Sequence, residues 1–435
     1  MPAADLNIAL IGFGTVGTGV AQILTHQAEH LTCQAGRQLN LRQIVVRNPT
    51  RYRERVPDGV RLSDSIDSVL DDDEIDLVVQ LIGGTEPALD YVRRFLAAGK
   101  DIVTANKALI CQHGDELFRT ASKAGRTICF EAAIAGGIPV IGTLTTALTA
   151  NRIEAIEGIL NGTSNFILTH ILNDQISYSA ALQQAQQLGY AEADPTLDVD
   201  GTDAAQKLAI LTQLAFSTTV STDEIVRHGI ENLELRDLQA AFSMGYKVKL
   251  LAVSRLHEGR LELSVQPTLI SRSRTLSQID GADNIVAITG DAAGRLRLAG
   301  AGAGQLPTAS AVIADIVDIA TGRAALTFQA LMRSKNRTPV TVLPPDELCR
   351  RYYIRCTVDD RPHVLADFTD ILGRHQISIS SLHQDETCES DPKSRTACLV
   401  IMTHRTTEGR LRAAEADLAQ LDCVRGSWLR MPVAE

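Results

Sequence analysis

The sequence predicts an α/β protein: a doubly wound parallel sheet, then an α+β unit, then a small C-terminal unit. Three observations carry this. Short apolar runs alternate with helical patterns over about the first 140 residues, the rhythm of parallel βαβ units. A glycine-rich turn separates the first run from the first helical pattern. Beyond about residue 140 the rhythm changes, and the end of the 435-residue chain follows the order β-α-β-β-α-β.

The first run, "LNIALI" at 6–11, ends in glycines and a helical pattern follows. Residues 41–47 and 75–82 read as the next strands, the second fully buried. Residues 89–98 read as helix, 101–104 as strand, 113–124 as helix and 127–131 as strand. Strand-like runs recur at 153–160, 248–256 and 261–266, with helices at 177–188 and 202–215. Residues 307–322 form a helix with Pro early and Gly at its end. The expected domains are 1–140, 141–322 and 349–435, joined by a proline-rich linker at 323–348 that contains "RTPVTVLPPDE".

The formal charge of −10 argues against a general nucleic-acid binder. Eight cysteines (Cys33, Cys111, Cys129, Cys349, Cys356, Cys388, Cys398, Cys423) show no CxxC spacing, so they read as mostly buried thiols in a reducing cytoplasm. The N-terminus has no basic stretch before its apolar run and does not read as a signal peptide. Residues 132–150 carry no charge, but three Gly, four Thr and a Pro make them a buried segment and not a membrane span. Asn161-Gly-Thr163 and Asn336-Arg-Thr338 match the glycosylation pattern, which means nothing without a secretory signal. The expected setting is cytoplasmic, with no membrane and no nucleic acid as partner.

"ALIGFGTVGTGV" places Gly12, Gly14 and Gly17 in a G-x-G-x-x-G pattern after a strand and at the start of a helix. This is the Rossmann-type dinucleotide fingerprint. The glycines permit a tight turn, close approach of a pyrophosphate and close helix–sheet packing. The end of the second strand, "VVRNPTRYRER", lacks the carboxylate that would bond a ribose hydroxyl. It offers Arg47 at the strand end, which points to NADP(H) in preference to NAD(H), and then Arg51, Arg53 and Arg55, which read as a solvated charge run.

"DIVTANKALI" sets Lys107 just past a strand's C-terminal end, the edge where open α/β sheets bind ligands. An ordinary surface lysine is the competing reading. "GYAEADPTLDVDGTDAAQKL" gathers Glu192, Asp194, Asp198, Asp200 and Asp203 ahead of a single cation, Lys207. Asp203 and Lys207 are i and i+4 on one helical face. They read either as an ordinary ion pair or as a lysine oriented by its carboxylate to protonate an alkoxide. The surplus acids suit a small substrate carrying an ammonium group.

Together, "GFGTVGTGV", "IVTANKAL", "FEAAIAGGIPVI", "LNGTSNFIL", "GYAEADPTLDVDGTDAAQKLAIL" and "GAGAGQLPTASAVIADI" resemble the homoserine dehydrogenases over nearly the whole chain. The resemblance implies reduction of L-aspartate 4-semialdehyde to L-homoserine with NAD(P)H. It implies Lys107 and Lys207 at the reaction centre, with Lys207 as proton carrier, and Glu192, Asp198 and Asp203 on the substrate. Cofactor contacts are expected from Gly12, Phe13, Gly14, Thr15, Val16, Gly17, Arg47, Thr85, Lys107, Gly302 and Gly304. A structural sodium ion is expected on main-chain oxygens of Glu131, Ile134, Gly136 and Ile138, with Gly189 close by. The stretch near 140–150 and the late helix resemble dimer-forming elements, so a homodimer or homotetramer is expected.

The C-terminal unit resembles an ACT domain, a small amino-acid-binding regulatory fold, which implies an amino-acid effector, with L-threonine the expected one. The glycine of that family's "PGVL" turn is His363 here. Two readings compete. A semialdehyde dehydrogenase would need an activated cysteine, and no cysteine stands in a recognisable nucleophile setting. A non-catalytic NAD(P)- and amino-acid-binding sensor would keep the glycine loop but would not need the acid array.

Overall fold

The computed structural model describes residues 4–334, 339–386 and 396–434. Cys388 and the Asn336–Thr338 pattern lie outside the described residues. The chain divides into two compact units, each assembled from three segments: residues 1–156, 203–222 and 283–340 in the first, and 157–202, 223–282 and 341–435 in the second.

The first unit is built on a six-stranded parallel sheet. Its strands are β1 (Leu6–Ile11), β2 (Leu39–Val45), β3 (Arg61–Ser63), β4 (Leu77–Gln80), β5 (Asp101–Thr104) and β6 (Ile128–Cys129), in the order β3-β2-β1-β4-β5-β6. The chain order reverses between β1 and β4, and this switch point opens the crevice used by dinucleotide sites. β1 and β4 are almost wholly buried, as their apolar runs require. β3 was not legible in the sequence: it has only three residues, none fully buried.

Helix α1 (Thr15–His26) leaves the glycine loop. It crosses closely over the helix Gln305–Ala320, because a Cβ on Gly19 would meet the Gln305 carbonyl at 2.8 Å. That late helix contributes Val312 and Ile316, both fully buried, to the core under β1. The hairpin Asp283–Gly290 and Gly294–Ala301 precedes it.

Two expectations change. The helix read at 113–124 begins earlier, at Lys107, because the Asn106 side chain caps it by accepting the Leu109 N–H at 3.0 Å. The stretch read as linker opens with a helix, Arg323–Ser334. Its Phe328 sits edge-on to Phe118 with ring centres 5.9 Å apart, so packing makes helix where composition suggested a connector. Residues 132–150 hold only short helical turns, and no helix among the described residues is long and apolar enough to cross a membrane.

The second unit pairs the long strands Tyr246–His257 and Arg260–Ser271. The C-terminal β-α-β-β-α-β order is present: strands Tyr352–Asp359, Ile379–Glu386, Thr396–Thr403 and Val424–Ala434, with helices Val364–Arg374 and Glu408–Leu418. Phe368, Leu372, Leu399 and Leu411 fill the core between these helices and their sheet. The last strand also continues the sheet of the long strands, where Leu269 pairs with Val433 and Ile270 with Ala434. His363 lies in the left-handed region at φ 75, so it holds the backbone conformation for which glycine is the usual residue.

Candidate active site

The glycine loop has the stereochemistry of a phosphate cradle. Gly12 stands at φ +99, and a Cβ there would meet Ile82 Cγ2 at 3.0 Å. A Cβ on Gly17 would strike the Gly12 carbonyl at 2.4 Å, so only glycine lets the helix pack onto the turn. Gly14 has nothing within 4 Å of an added Cβ, leaving open space beside its backbone. Helix α1 starts there with no acidic residue in its first turn, and its unpaired N–H groups favour an anion.

Beside this loop lies a cavity of about 530 Å³. Gly12, Phe13, Gly14 and Arg47 line it, joined by Asn48, Arg51 and Tyr52 at the end of β2. The sequence reading passed over Tyr52, whose ring meets Phe13 edge-on at 5.8 Å and lies under the Arg51 and Arg55 guanidiniums. Asp64 also lines the cavity, so a carboxylate arrives from the end of β3 although β2 supplies none. Thr15, Val16, Gly17, Thr85, Lys107, Gly302 and Gly304 are not on its wall. The arrangement fits a dinucleotide: open backbone at a helix N-terminus for the pyrophosphate, and an arginine-rich rim for the adenosine end.

Lys107 opens its helix beyond the C-terminal end of β5. The helix Thr202–Phe216 carries Asp203 and Lys207 one turn apart. The two helices bring three predicted residues together. Asp203 Oδ2 takes the Lys207 Nζ at 2.7 Å, and its Oδ1 lies 3.2 Å from the Lys107 Nζ. Asp203 is buried, Lys207 keeps 12% of its side chain exposed, and Lys107 keeps 38%. A single buried carboxylate thus holds two ammonium groups from different helices. The geometry differs from an ordinary surface i,i+4 pair, worth roughly 0.2–0.5 kcal/mol, in that the carboxylate is buried and shared with a second helix.

The other four acids separate by role. Asp194 and Asp200 build turns, each accepting the backbone N–H and hydroxyl of a threonine two residues on, Thr196 and Thr202. Asp198 is half-buried and accepts the Asn161 side-chain amide at 2.8 Å. Glu192 is exposed. Glu192, Asp198 and Gly189 belong to the second unit. There Asn161 also caps the helix Gly162–Asn173, and the Thr163 hydroxyl donates to the Tyr190 carbonyl at 2.6 Å. Sequence reasoning left Asn161 and Thr163 unused, although their motif was in view.

Glu131 sits in a buried turn, where its carboxylate accepts the Ile141 and Gly142 N–H groups at 2.8 and 2.7 Å. Burial pushes its pKa up against those bonds. The Glu131 and Ile138 carbonyls each accept one backbone N–H, from Ile134 and Val140, so each keeps a second lone pair. Ala135 and Gly136 both have positive φ. A Cβ on Gly136 would meet the Gly302 carbonyl carbon at 2.6 Å, so the expected ion loop touches, backbone to backbone, the segment of the expected cofactor contacts Gly302 and Gly304. Next to Gly302, Asn284 is 1% exposed, and its side-chain amide has no hydrogen-bond partner among the described residues. The oxygen-only donor set fits a hard cation. No group of three or more His, Cys, Asp or Glu side chains that could hold a metal is present among the described residues.

Two of the thiols, Cys111 and Cys129, are unsuited to thioester chemistry. Burial pushes Cys111 up to about 11 and Cys129 well above its ordinary value, whereas a nucleophile needs the opposite shift.

Three family models match in succession: the homoserine dehydrogenase NAD-binding domain over residues 12–131, homoserine dehydrogenase over 139–317, and the ACT domain over 352–423. A homoserine dehydrogenase of Neisseria gonorrhoeae is 40% identical over 96% of this chain and 96% of its own length. One from Corynebacterium glutamicum is 38% identical over 94% and 91%. Among solved structures, a homoserine dehydrogenase from Thiobacillus denitrificans superposes with a TM-score of 0.92 at 40% identity over all of both chains. A hyperthermophilic archaeal homoserine dehydrogenase mutant in complex with NADPH matches with a TM-score of 0.62 at 27% identity, over 74% of this chain and 98% of its own.

Proposed function

This chain belongs to the homoserine dehydrogenase family, and from that premise we propose how its own residues carry the reaction. It is an NAD(P)-dependent oxidoreductase with a C-terminal ACT domain. The substrate is L-aspartate 4-semialdehyde and the product L-homoserine.

When bound, the reduced nicotinamide supplies the hydride that reduces the aldehyde carbon. The chain supplies the proton and the position. The Lys207 ammonium protonates the oxygen as it becomes an alkoxide, and in the reverse direction the Lys207 amine takes that proton back. Lys107 donates a hydrogen bond to the same oxygen. Asp203 orients both lysines and balances their charge. Glu192 and Asp198 hold the ammonium group of the amino acid. The observation that carries this reading is the buried Asp203 carboxylate shared between Lys107 and Lys207.

Arg47, with Asn48 and Arg51 beside it, favours the 2′-phosphate of NADP(H) over NAD(H). Thr85, Gly302 and Gly304 complete the cofactor seat. A sodium ion rests on the main-chain oxygens of Glu131, Ile134, Gly136 and Ile138, near Gly189, and stiffens that loop. The enzyme works as a homodimer or homotetramer in the cytoplasm. An amino acid, L-threonine first among candidates, binds the ACT domain and restrains activity.

The test is cofactor oxidation by the purified full chain with aspartate semialdehyde, with homoserine identified as product. Lys207→Ala should fold and lose about 10²–10⁴-fold in kcat. Asp203→Asn should lose a comparable amount, because it releases both lysines. Near-wild-type turnover in either variant ends the assignment.

A further inference from the structure

At the ends of β4 and β5 three buried polar side chains form one continuous chain of hydrogen bonds. Gln80 is wholly buried, Thr104 is 1% exposed and Asn106 is 7% exposed. Gln80 and Thr104 are register partners on adjacent strands. The Thr104 hydroxyl donates to Gln80 Oε1 at 2.5 Å and accepts the Asn106 backbone N–H at 3.1 Å. Gln80 Nε2 donates to the Ile82 carbonyl at 2.7 Å. Asn106 Nδ2 donates to that same carbonyl at 3.0 Å and to the Gly84 carbonyl at 2.6 Å, while Asn106 Oδ1 caps the Lys107 helix.

The two ends of this network meet different parts of the site. Ile82 and Gly83 are on the wall of the cofactor cavity. Lys107 is the first residue of the capped helix. We propose that Gln80, Thr104 and Asn106 are positioning residues that lock the cofactor-facing turn 82–84 to the start of the Lys107 helix, so that cofactor seat and lysine move as one body.

The physical case has two parts. A purely structural contact between two strand ends in an apolar sheet is made as well by aliphatic side chains, without the desolvation of three polar groups. Here nearly every donor and acceptor is used, and two of them converge on one carbonyl. Such a satisfied network specifies one geometry. Hydride and proton transfer need that geometry, since a displacement of about 1 Å costs roughly 10²-fold in rate. The inference rests on the reading of Lys107 as part of the reaction centre.

Thr104→Val keeps the shape and removes the hydroxyl, while Thr104→Ser keeps the hydroxyl. Asn106→Ser keeps a capping oxygen and loses the reach to Ile82 and Gly84. Each full-length variant is compared with wild type for melting temperature, kcat, KM for both substrates, and the primary deuterium isotope effect with cofactor labelled at the transferred position. Thr104→Val and Asn106→Ser should lower kcat about 10- to 100-fold, leave KM for aspartate semialdehyde within about twofold, and raise the isotope effect as hydride transfer becomes limiting. Thr104→Ser should recover most of kcat. A lowered melting temperature with unchanged kcat and isotope effect in either impaired variant makes the network structural and overturns the proposal. Asn106→Ser decides the matter if Thr104→Val does not fold. Wild-type chain that forms no homoserine, or Lys107→Ala with full turnover, defeats the underlying reading instead.

Discussion

Arg355 Nε lies 2.5 Å from Asp237 Oδ1, and both residues are buried: Arg355 is 3% exposed and Asp237 is 0%. Arg355 is on the first strand of the ACT domain, and Asp237 is on the helix Leu235–Ser243. The Tyr353 hydroxyl donates to the same carboxylate oxygen at 3.0 Å, and Glu234 adds a second anion 3.2 Å from the Arg355 guanidinium. Burial pushes the Asp237 pKa up, and Arg355 opposes it. This pair bonds the ACT sheet to the helix Leu235–Ser243, and the shared strand Val424–Ala434 joins it to the strand Arg260–Ser271 of the second unit.

Arg355→Met should therefore destabilise the fold by about 3–5 kcal/mol, because it leaves Asp237 buried without its cation. Arg355→Met combined with Asp237→Leu should recover much of that loss. Thermal and denaturant unfolding of the three chains measures the difference. A single variant as stable as wild type would show that the carboxylate finds solvent or another partner.

Arg47 tests the cofactor preference. Arg47→Ala should raise KM for NADPH by about tenfold, the scale of one charge-assisted hydrogen bond, and should leave KM for NADH nearly unchanged. Equal losses for both cofactors would place Arg47 away from the 2′-phosphate.

Lys249 gives a pH signature. It is 1% exposed and bonds Asn165, the Ile279 carbonyl and Asp280 at 2.8, 2.6 and 3.0 Å. Burial lowers its pKa from 10.5 to about 8, against the pull of Asp280. Below about 8 both folded and unfolded chains hold the proton, and this residue adds no slope. Between about 8 and 10.5 the unfolded chain binds more protons, so stability from this group rises with pH. The stability of wild type minus that of Lys249→Met should climb across that window by roughly 3 kcal/mol. A flat difference would mean that Lys249 titrates alike in both states.

His363 tests the ACT turn. A side chain in the left-handed region costs roughly 1–2 kcal/mol, partly offset by the entropy that glycine loses on folding. His363→Gly should be neutral or stabilising by up to about 1 kcal/mol, and His363→Val should be clearly destabilising. Threonine titrated against wild type and His363→Gly shows whether the imidazole tunes effector binding. A shift in inhibition between the two chains places the effector beside this turn, and identical curves place it elsewhere.

Much of the fold was legible because its signals are local. The alternation of apolar runs and helical patterns marked β1, β2, β4 and β5 from their own residues. The spacing of Gly12, Gly14 and Gly17 encoded the turn, and the four-residue spacing of Asp203 and Lys207 placed both on one helical face. β3 escaped because three partly exposed residues have no period to read. The helix Arg323–Ser334 escaped because its reason for existing, the contact of Phe328 with Phe118, lies far away in sequence.

By itself the sequence determined the doubly wound sheet, the glycine loop, the ACT order of elements and the i,i+4 acid–lysine pair, because periodicity and turn stereochemistry act over a few residues. Only the tertiary structure decided which of five clustered acids serves the lysines. Asp194 and Asp200 are spent on turns, and Asp203 turns out to be the shared partner of Lys107 as well as Lys207. It likewise decided that helix Gln305–Ala320 returns to α1, and that Gly136 meets Gly302. These pairings join segments distant in the chain. They are set by which surfaces bury well against each other, a property of packed shapes that no local run of residues carries.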